Sequence, residues 1–573
     1  MNTREPATTS HTVDFLVIGS GAGGLTAAIR AHDLGLNTLV VEKSPHYGGT
    51  SAMSGGSLWI PHNHQMANHG ITDSHQDALT YLKALTQGLV AEDRLNAFIT
   101  KGAEMLRYLE THNDLHCTAL PRYADYYPNQ PGAKPGARTL EAKRFLTLRL
   151  GRDLLQLQPP HPACVTFGRL HMTAGEAYYS VRGHWRMYPP LIIGACLYLV
   201  GLPLRAFAPR STRVTLGNAL VASLRRGLKR RRIPLWLNSP ATQLLTDATG
   251  KVTGAIVSRR DRPVAVTARK GVLLASGGFE HNLSLRQQHL PQPNHITWSA
   301  AHQHNTGDAL LMTQHLKPKL ELMDDAWWTP GTVVPGSPYG HALVFEKSMP
   351  HGIFVNDQGK RFTNEAAPYI DVVKSMHANH QPNSQQAASY WLIIDSRYRR
   401  KTALAGTIYP SPIMPDSAIP AHYWNRLIFR NDTLAGLAHD IGMDAQQLQH
   451  TVTRFNGFAR TGIDRDFGRG DNVQDRYYSR WSGGPNPTLG TIDKAPFYAI
   501  PVVASDIGTK GGLLTDAAAR VLNEAGQPIA GLFACGNCSA AVMGRSYAGA
   551  GSTLGPAMAF GFIAAETAAG IGG

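Results

Sequence analysis

Residues 13–25 read VDFLVIGSGAGGL and decide the fold of this 573-residue chain. The apolar run that opens this stretch ends in Gly19, Gly21 and Gly24, at the spacing G-x-G-x-x-G. Where a strand turns sharply into a helix, the first glycine makes the turn, the second lets a pyrophosphate approach the backbone, and the third lets helix and strand touch. The stretch therefore predicts the start of a dinucleotide-binding βαβ unit.

The residues that follow supply the rest of that unit. A helix is predicted over 25–34 and a second strand over 36–41, and Glu42 stands at the tip of this strand. A carboxylate at this position, eighteen residues after Gly24, can accept hydrogen bonds from an adenosine ribose. Strand, glycines, helix, strand and acid come in order, which favours a dinucleotide site over an ordinary glycine turn in another α/β protein.

A second glycine-rich loop comes directly after Glu42. Residues 47–56 read YGGTSAMSGG, so small residues and the hydroxyls of Thr50, Ser51 and Ser54 lie next to the ribose acid. Such a loop can fold along an extended cofactor while its backbone N–H groups and hydroxyls donate hydrogen bonds. The loop therefore favours FAD over NAD.

Composition indicates a globular protein of two or more domains. Hydrophobic residues make up 43% of the chain and charged residues 17%, which argues against long disorder. The formal net charge is +15, and its densest basic run is RRGLKRRR at 225–232. No nucleic-acid recognition motif accompanies this charge, so we expect no nucleic-acid partner. The run is expected to be a solvated helix face or a membrane-facing patch.

Cysteine usage and the first residues bear on the compartment. The five cysteines form no dense, even framework, so disulfides are not expected and a reducing compartment fits. The first ten residues are polar and lack an apolar signal core. We therefore expect a cytoplasmic protein. His302 and His304 lie close together, but no ligand set converges on them and no metal is expected.

The segment 150–213 differs from the rest of the chain. Its apolar run at 189–204, PPLIIGACLYLVGLPL, is shorter than the ~20 residues that cross a bilayer. Four arginines flank the run: Arg182, Arg186, Arg205 and Arg210. A hydrophobic patch with basic edges can dip into one leaflet, so we expect a peripheral contact with the inner face of the cell membrane. A buried core segment is the alternative.

Two further glycine-rich stretches return the chain to the first sheet. Residues 270–279, KGVLLASGGF, read as a strand that ends at Gly277, and 531–537 read as a strand that ends at Gly536 and Asn537. We therefore expect a Rossmann-like α/β FAD-binding domain formed by 10–294 and 490–573, with 150–213 as an insertion. An α+β substrate or catalytic domain is expected over 295–489.

At this point the sequence resembles the 3-ketosteroid Δ1-dehydrogenases of the fumarate-reductase and succinate-dehydrogenase type of FAD flavoproteins. The resemblance runs nearly end to end and rests on five stretches: GGTSAMSGGSLW at 48–59, DYYP at 125–128, NEAAPY at 364–369, DIGTKGGL at 506–513 and SYAGAG at 546–551. It implies a flavin enzyme that removes hydrogen from C1 and C2 of a 3-oxosteroid. It also implies an electron acceptor, for which a quinone-like compound is a candidate.

The resemblance also implies roles for individual residues. Tyr547 O–H and the Gly551 N–H would bind the C3 oxygen, Tyr369 would take the C2 proton, and Tyr126 would be hydrogen-bonded to Tyr369. Members that tether FAD covalently have a histidine where this chain has Gly49, so non-covalent FAD is expected. The expected cofactor-binding residues are Gly19, Ser20, Gly21, Gly24, Glu42, Lys43, Gly49, Thr50, Ser51, Ser54, Gly55, Gly56, Gly277, Asp308, Gly536, Asn537 and Leu554.

Four other functions stay open from the sequence. A 3-oxosteroid Δ4-dehydrogenase differs only in where ring A lies, and a fumarate-reductase-like ene-reductase would use arginine and histidine to hold carboxylates. The pair Cys535 and Cys538 has the C-x-x-C spacing of a thiol-disulfide reductase. A flavin-binding sensor without catalysis is the fourth.

Overall fold

The first sheet has eight strands and is built around the strand that carries the first glycines. The computed structural model describes residues 9–168, 170–182, 188–200, 211–380, 390–479 and 483–571. Strand Thr9–Ile18 pairs in parallel with Thr38–Val41 on one side and with Arg262–Leu274 on the other. The whole sheet consists of Thr9–Ile18, Thr38–Val41, Leu235–Trp236, Ala241–Thr246, Val252–Arg259, Arg262–Leu274, Arg520–Leu522 and Pro528–Ala534.

The first sheet confirms the predicted Rossmann-like arrangement. Strand Pro528–Ala534, from near the end of the chain, pairs in parallel with Arg262–Leu274. Both ends of the chain therefore build one sheet. The glycine-rich turns after its parallel strands lie at the carboxyl edge, where dinucleotides bind in open α/β sheets.

The second sheet has six strands and lies in the middle of the chain. Its strands are Ala326–Val333, Gly340–Ala342, Gly352–Asn356, Tyr390–Asp395, Phe429–Asn431 and Phe497–Thr509. The long strand Phe497–Thr509 is antiparallel to both Ala326–Val333 and Tyr390–Asp395. The predicted domain limit at residue 490 therefore falls before a strand of the second sheet, and the chain rejoins the first sheet at Arg520.

Smaller sheets and helices complete the described fold. Three short strands pair as Ser57–Trp59, Thr139–Ala142 and Cys117–Ala119. Two two-stranded ladders join Leu320–Glu321 with Gly512–Leu513 and Phe145–Leu146 with Arg213–Val214. The α-helices are Ala22–Asp33, Gly49–Met53, His75–Thr86, Glu92–His112, Ala174–Arg182, Tyr188–Val200, Leu216–Arg230, Leu283–His289, Asp308–Thr313, Tyr369–Ala378, Ser396–Lys401, Leu434–Asp440, Ala445–Thr461 and Leu554–Ala568.

The last helix, Leu554–Ala568, lies at the centre of the FAD-binding half. Almost all of its residues are buried, and it packs against Ala22–Asp33 and Glu92–His112. Gly561 makes this packing close, because a Cβ at that position would lie 2.4 Å from the carbonyl oxygen of Gly23. The first and last helices therefore touch backbone to backbone.

The basic run at 225–232 is largely engaged in ion pairs within the protein. Arg226 and Arg230 both pair with Asp114, Arg225 pairs with Asp153, and Arg231 pairs with Asp33. This differs from the expected solvated face or membrane patch. Acidic residues from three other segments converge on this helix, which a linear pattern does not reveal.

The apolar run near 189–204 forms the helix Tyr188–Val200 over its described part. Four of its large side chains are exposed by half or more, namely Tyr188, Ile192, Ile193 and Leu199. At 100° per residue these positions share one face of about 140°, so the alternative of a buried segment does not hold for that face. Of the four flanking arginines, Arg186, Arg205 and Arg210 lie outside the described residues.

Candidate active site

One cavity of about 880 Å³ lies between the two sheets' loops and contains every residue that the sequence predicted for the site. The four predicted catalytic residues, Tyr126, Tyr369, Tyr547 and Gly551, all line it. So do the predicted cofactor-binding residues Gly19, Ser20, Gly21, Gly24, Glu42, Lys43, Gly49, Thr50, Ser51, Ser54, Gly55, Gly56, Gly277, Asp308, Gly536, Asn537 and Leu554. Residues that are far apart in the chain therefore line the same cavity.

The glycine-lined end of the cavity fits a dinucleotide. A Cβ added at Gly49 or Gly55 would meet no other atom within 4 Å, so these positions leave room against the backbone. Gly19 adopts φ +110°, and a Cβ there would collide with Ala275 of the neighbouring strand. The hydroxyl of Ser276 is buried and has no hydrogen-bond partner among the described residues. These features suit the close backbone approach that a pyrophosphate needs.

Glu42 occupies the position predicted for the ribose acid. Its carboxylate accepts hydrogen bonds from the backbone N–H of Ser20 at 3.0 Å and from its hydroxyl at 2.7 Å. The backbone N–H of Ser44 donates to the other carboxylate oxygen at 2.9 Å. A carboxylate has about four acceptor positions, so capacity remains for a ribose hydroxyl on the cavity side.

Thr50 is held by residues that sequence reasoning missed. Its hydroxyl accepts hydrogen bonds from the His302 backbone N–H at 3.0 Å and from the Asn305 amide at 2.9 Å. The same Asn305 amide also donates to Glu280. Burial and the nearby Asp506 raise the pKa of Glu280 to about 7. No spacing in the sequence links residues 50, 280 and 305, so only the fold brings them together.

Phenols from three distant segments meet at the other end of the cavity. The Tyr126 hydroxyl donates to the Tyr369 oxygen at 2.6 Å. The ring of Tyr547 lies 5.3 Å from that of Tyr126 and 5.9 Å from that of Tyr369, centroid to centroid. Tyr127 is different: its hydroxyl donates to Asp371 at 3.2 Å, and its side chain does not line the cavity.

Two further tyrosines extend this cluster. The Tyr123 hydroxyl lies 3.3 Å from those of Tyr126 and Tyr369 and 3.1 Å from that of Tyr478. Tyr123 belongs to the tyrosine-rich loop at 123–128, but the sequence does not distinguish it from Tyr127, which lies outside the cluster. Tyr478 follows no motif. Among the described residues, hydrogen bonds therefore join four phenols, and Tyr547 packs against two of them, Tyr126 and Tyr369.

Tyr547 and Gly551 lie on one loop, and both line the cavity. Burial raises the pKa of the Tyr547 phenol to about 12, although the Gly551 N–H and Thr553 work in the opposite direction. Gly551 has φ +101°, and a Cβ there would lie 2.6 Å from the backbone of Ser57. Glycine is therefore required where this N–H faces the cavity. At neutral pH Tyr547 keeps its proton and remains a hydrogen-bond donor.

Burial also acts on the predicted base and on the C-x-x-C pair. It raises the pKa of Tyr369, whereas the hydrogen bonds from Tyr123 and Tyr126 lower it. Cys535 and Cys538 are buried free thiols, and burial raises the pKa of Cys538 to about 11. A reactive cysteine needs a lowered pKa and access, so this pair does not have the properties of a dithiol redox site.

Comparison with known proteins defines the class. A family model described as an FAD binding domain matches residues 14–554. With the cavity's glycine-lined end, this match makes the chain an FAD-binding flavoprotein, and FAD is its cofactor.

Individual relatives define the family. The chain is 38% identical to the 3-oxosteroid 1-dehydrogenase of Mycobacterium tuberculosis over 96% of its own length and 97% of that protein. It is 46% identical to the 3-ketosteroid delta1-dehydrogenase of Sterolibacterium denitrificans, solved with 1,4-androstadiene-3,17-dione, with a TM-score of 0.94 over 98% of this chain and 100% of that one. The chain belongs to the 3-oxosteroid 1-dehydrogenase family.

A relative with another substrate is also similar. The chain is 36% identical to a 4-oxocyclohexanecarboxylate 2-dehydrogenase of Sinomonas cyclohexanicum, over 98% of its own length and 94% of that protein. The names 3-oxosteroid 1-dehydrogenase and 4-oxocyclohexanecarboxylate 2-dehydrogenase both describe the loss of hydrogen next to a ring ketone.

Proposed function

We propose that this protein removes hydrogen from C1 and C2 of 3-ketosteroids with FAD as the acceptor. One observation carries the proposal: the phenols of Tyr126, Tyr369 and Tyr547 converge in the cavity that the dinucleotide-binding glycines also line. The remaining lining includes many apolar side chains, among them Val344 and Phe345, which suits an uncharged polycyclic substrate. Membership of the 3-oxosteroid 1-dehydrogenase family supports the same function.

The first task of the site is to polarise the ketone. A CH₂ group is a poor acid, but the C2 proton becomes acidic when donors stabilise the charge that develops on the C3 oxygen. Tyr547 O–H and the Gly551 N–H are the donors, because both lie on one loop at the cavity wall. When bound, FAD supplies the two-electron acceptor for the hydrogen that leaves C1.

The second task is to take the C2 proton, and we assign it to Tyr369. The 2.6 Å hydrogen bond from Tyr126 stabilises the phenolate form of Tyr369, because hydrogen bonds to a charged oxygen are stronger than those to a neutral one. Tyr123 connects Tyr369 to Tyr478, which also lines the cavity, so the proton can pass along this chain of phenols. Tyr369→Phe should lower kcat by about 10²–10⁴-fold, while the protein retains yellow FAD.

A saturated substrate tests both the activity and its position on the ring. 5α-Androstane-3,17-dione has a CH₂–CH₂ at C1–C2 and a CH₂–CH at C4–C5, so the two dehydrogenations give different products. Purified protein, this steroid and a dye acceptor should yield the 1-ene, identified by mass and NMR. Formation of the 4-ene would assign a Δ4-dehydrogenase instead, and a steroid-induced change in the spectrum of oxidised flavin without any product would indicate a sensor.

A small cyclic ketone acid is the second candidate substrate. Arg400 and Lys401 line the cavity, and a cation there suits a carboxylate such as that of 4-oxocyclohexanecarboxylate. The same dye-coupled assay with 4-oxocyclohexanecarboxylate decides between the steroid and the small ketone acid as substrate. A kcat/KM at least tenfold higher for the steroid supports the first proposal, and the reverse ratio supports the second.

We also propose that FAD is held without a covalent bond, since Gly49 offers no side chain for one. Acid precipitation of the yellow protein should leave all flavin in the supernatant. Colour in the washed pellet would contradict this.

A membrane contact through the helix Tyr188–Val200 is proposed as well. Its exposed face carries Ile192, Ile193 and Leu199, and the exposed Tyr188 also lines the cavity, so this helix stands at the cavity mouth. Among the residues described, none of the helices is both long and apolar enough to cross a bilayer. An apolar face of this kind can lie in one leaflet, where a steroid and a quinone-like electron acceptor would both be at hand.

Vesicle sedimentation tests this contact. Replacing Ile192, Ile193 and Leu199 together by aspartate should move the protein from the pellet of anionic vesicles to the supernatant. Leu89→Asp is the matched control, because Leu89 is equally exposed elsewhere, and it should sediment like the wild type. Equal partitioning of the triple variant and the wild type would contradict a membrane contact at this helix. Turnover with a soluble quinone, measured beside the dye, tests the acceptor.

A further inference from the structure

Two buried lysines each hold the segment that leads into a tyrosine of the site. Lys347 is 3% exposed and Lys510 is fully buried. Lys347 Nζ donates to the carbonyl oxygen of Glu365 at 3.0 Å and to that of Ala367, just before Tyr369. Lys510 Nζ donates to the carbonyl oxygens of Gly544 at 3.0 Å and Ser546 at 2.6 Å, just before Tyr547.

The two lysines differ in how their charge is balanced. Lys510 Nζ lies 3.8 Å from the Asp325 carboxylate, and it lies over the ring of Trp327. Within the described part of the chain, Lys347 forms no such ion pair, and its Nζ lies over the ring of Tyr369, 5.5 Å from the centroid. Lys510, whose charge is paired with Asp325, thus holds the segment before Tyr547, the tyrosine that must keep its proton. Lys347, which has no such ion pair, holds the segment before Tyr369, the tyrosine that must lose its proton.

We propose that Lys347 is a positioning residue that stabilises the phenolate form of Tyr369 through its charge, while its two carbonyl contacts fix the loop that carries Tyr369. This inference rests on the proposed function, because only a base needs the phenolate. A base must lose its proton, but burial raises the pKa of Tyr369. A nearby positive charge lowers the pKa of a phenol, because it stabilises the phenolate.

The surroundings of the pair support this coupling. Tyr369 is the first residue of the helix Tyr369–Ala378, where the helix dipole also favours an anion. Burial lowers the pKa of Lys347 to about 7, so a phenolate beside it favours the charged ammonium. The charged groups that act on Lys347 are Asp475, Arg469, Glu365 and Asp371. The titratable groups around Tyr369 are Tyr123, Tyr126, Tyr478 and Tyr547.

Asp475, Glu365 and Asp371 act on Lys347 only from beyond ion-pair distance, and each has nearer partners or a raised pKa. Glu365 is held by Arg361 at 2.7 Å and by Arg469 at 3.0 Å. Asp475 accepts hydrogen bonds from the Asn364 amide and the Gly470 N–H, and burial raises the pKa of Asp371. The ammonium of Lys347 is therefore available to the phenolate.

The pH profile of kcat/KM separates charge from structure. Because the base must be deprotonated, activity rises with pH through its pKa. Lys347→Gln keeps a donor for the carbonyls but removes the charge, so the acid limb should move up by about 1–2 pH units and activity should recover at high pH. Lys347→Arg should keep the limb near its wild-type position.

Lys510→Gln is the matched control. It removes an equal charge at a lysine that lies over Trp327 and not over Tyr369, so any loss should be equal at all pH values and the limb should stay in place. The proposal would be overturned if the acid limb of the kcat/KM profile lay at the same pH in Lys347→Gln and the wild type. It would also be overturned if Lys510→Gln shifted that limb as far as Lys347→Gln does.

A titration of the holoenzyme keeps the test independent of turnover and of the lysine variants. The absorbance of tyrosinate near 295 nm, wild type minus Tyr369→Phe, should show ionisation of one phenol below pH 10, the ordinary value for tyrosine. Ionisation at or above pH 10 would overturn the coupling. Failure of the wild type to form a 1-ene would count against the proposed function alone.

Discussion

At the scale of single residues, the site depends on how each phenol is surrounded. Tyr126 and Tyr127 are neighbours in the chain, yet one hydroxyl donates to Tyr369 inside the cavity and the other donates to Asp371 outside it. Of these two adjacent tyrosines, only Tyr126 lines the cavity.

This pair of neighbours gives a prediction with its own control. Tyr126→Phe removes the 2.6 Å donor to Tyr369, so kcat should fall by about tenfold or more, the value of one hydrogen bond to a charged group. Tyr127→Phe should change kcat by less than threefold. Steady-state kinetics on both variants, with FAD content measured alongside, checks this. A larger loss in Tyr127→Phe would reverse the assignment.

At the scale of elements, the FAD-binding half depends on the contact between its first and last helices. Gly561 lets the helix Leu554–Ala568 approach the backbone of Gly23. Because the loop with Tyr547 and Gly551 leads directly into this helix, the position of the ketone donors follows from that packing. The helix is apolar around its circumference, as expected for a fully buried helix.

Two glycine-to-alanine changes test this contact. Gly561→Ala places a methyl group 2.4 Å from a carbonyl oxygen and should cost about 1–3 kcal/mol of unfolding free energy. Gly457→Ala, in the helix Ala445–Thr461, meets nothing within 4 Å and should stabilise by about 0.5–1 kcal/mol. Thermal melts of both proteins decide. A stable Gly561→Ala variant would show that the helices can move apart without cost.

At the scale of the whole molecule, the cofactor cavity joins segments from the beginning, middle and end of the chain. Gly19, Gly277 and Gly536 follow three neighbouring strands of the first sheet, and all three line the cavity. FAD bound along these glycines would therefore link parts that separate on unfolding.

Removal of FAD should accordingly lower the melting temperature. A ligand present at a hundred times its Kd stabilises by about 2.7 kcal/mol, so the apoprotein should melt several degrees below the reconstituted holoenzyme. Differential scanning fluorimetry on both forms measures this. Added NAD should leave the apoprotein unchanged, and an equal rise with NAD would contradict the preference for FAD.

The sequence predicted those features that local pattern controls. The glycines, the ribose acid and the strand after residue 270 follow from short-range stereochemistry, and the structure confirms the fold class built on them. Tyr478, Asn305 and Lys347 escaped prediction, because their neighbours lie far away in the chain and no spacing relates them. The sequence assigned residues 497–509 to the FAD-binding domain, whereas they form a strand of the second sheet, because the partners of that strand lie far earlier in the chain.

The buried position of the helix Leu554–Ala568 has a consequence for synthesis. The ribosome makes this segment long after the helices Ala22–Asp33 and Glu92–His112, against which it packs. The nascent N-terminal half therefore leaves the ribosome with the apolar surface that later contacts this helix still exposed to solvent. That surface stays exposed until the helix Leu554–Ala568 has been synthesised. Apolar surface exposed during that interval favours aggregation, and loss of this helix would leave that surface uncovered in the finished protein.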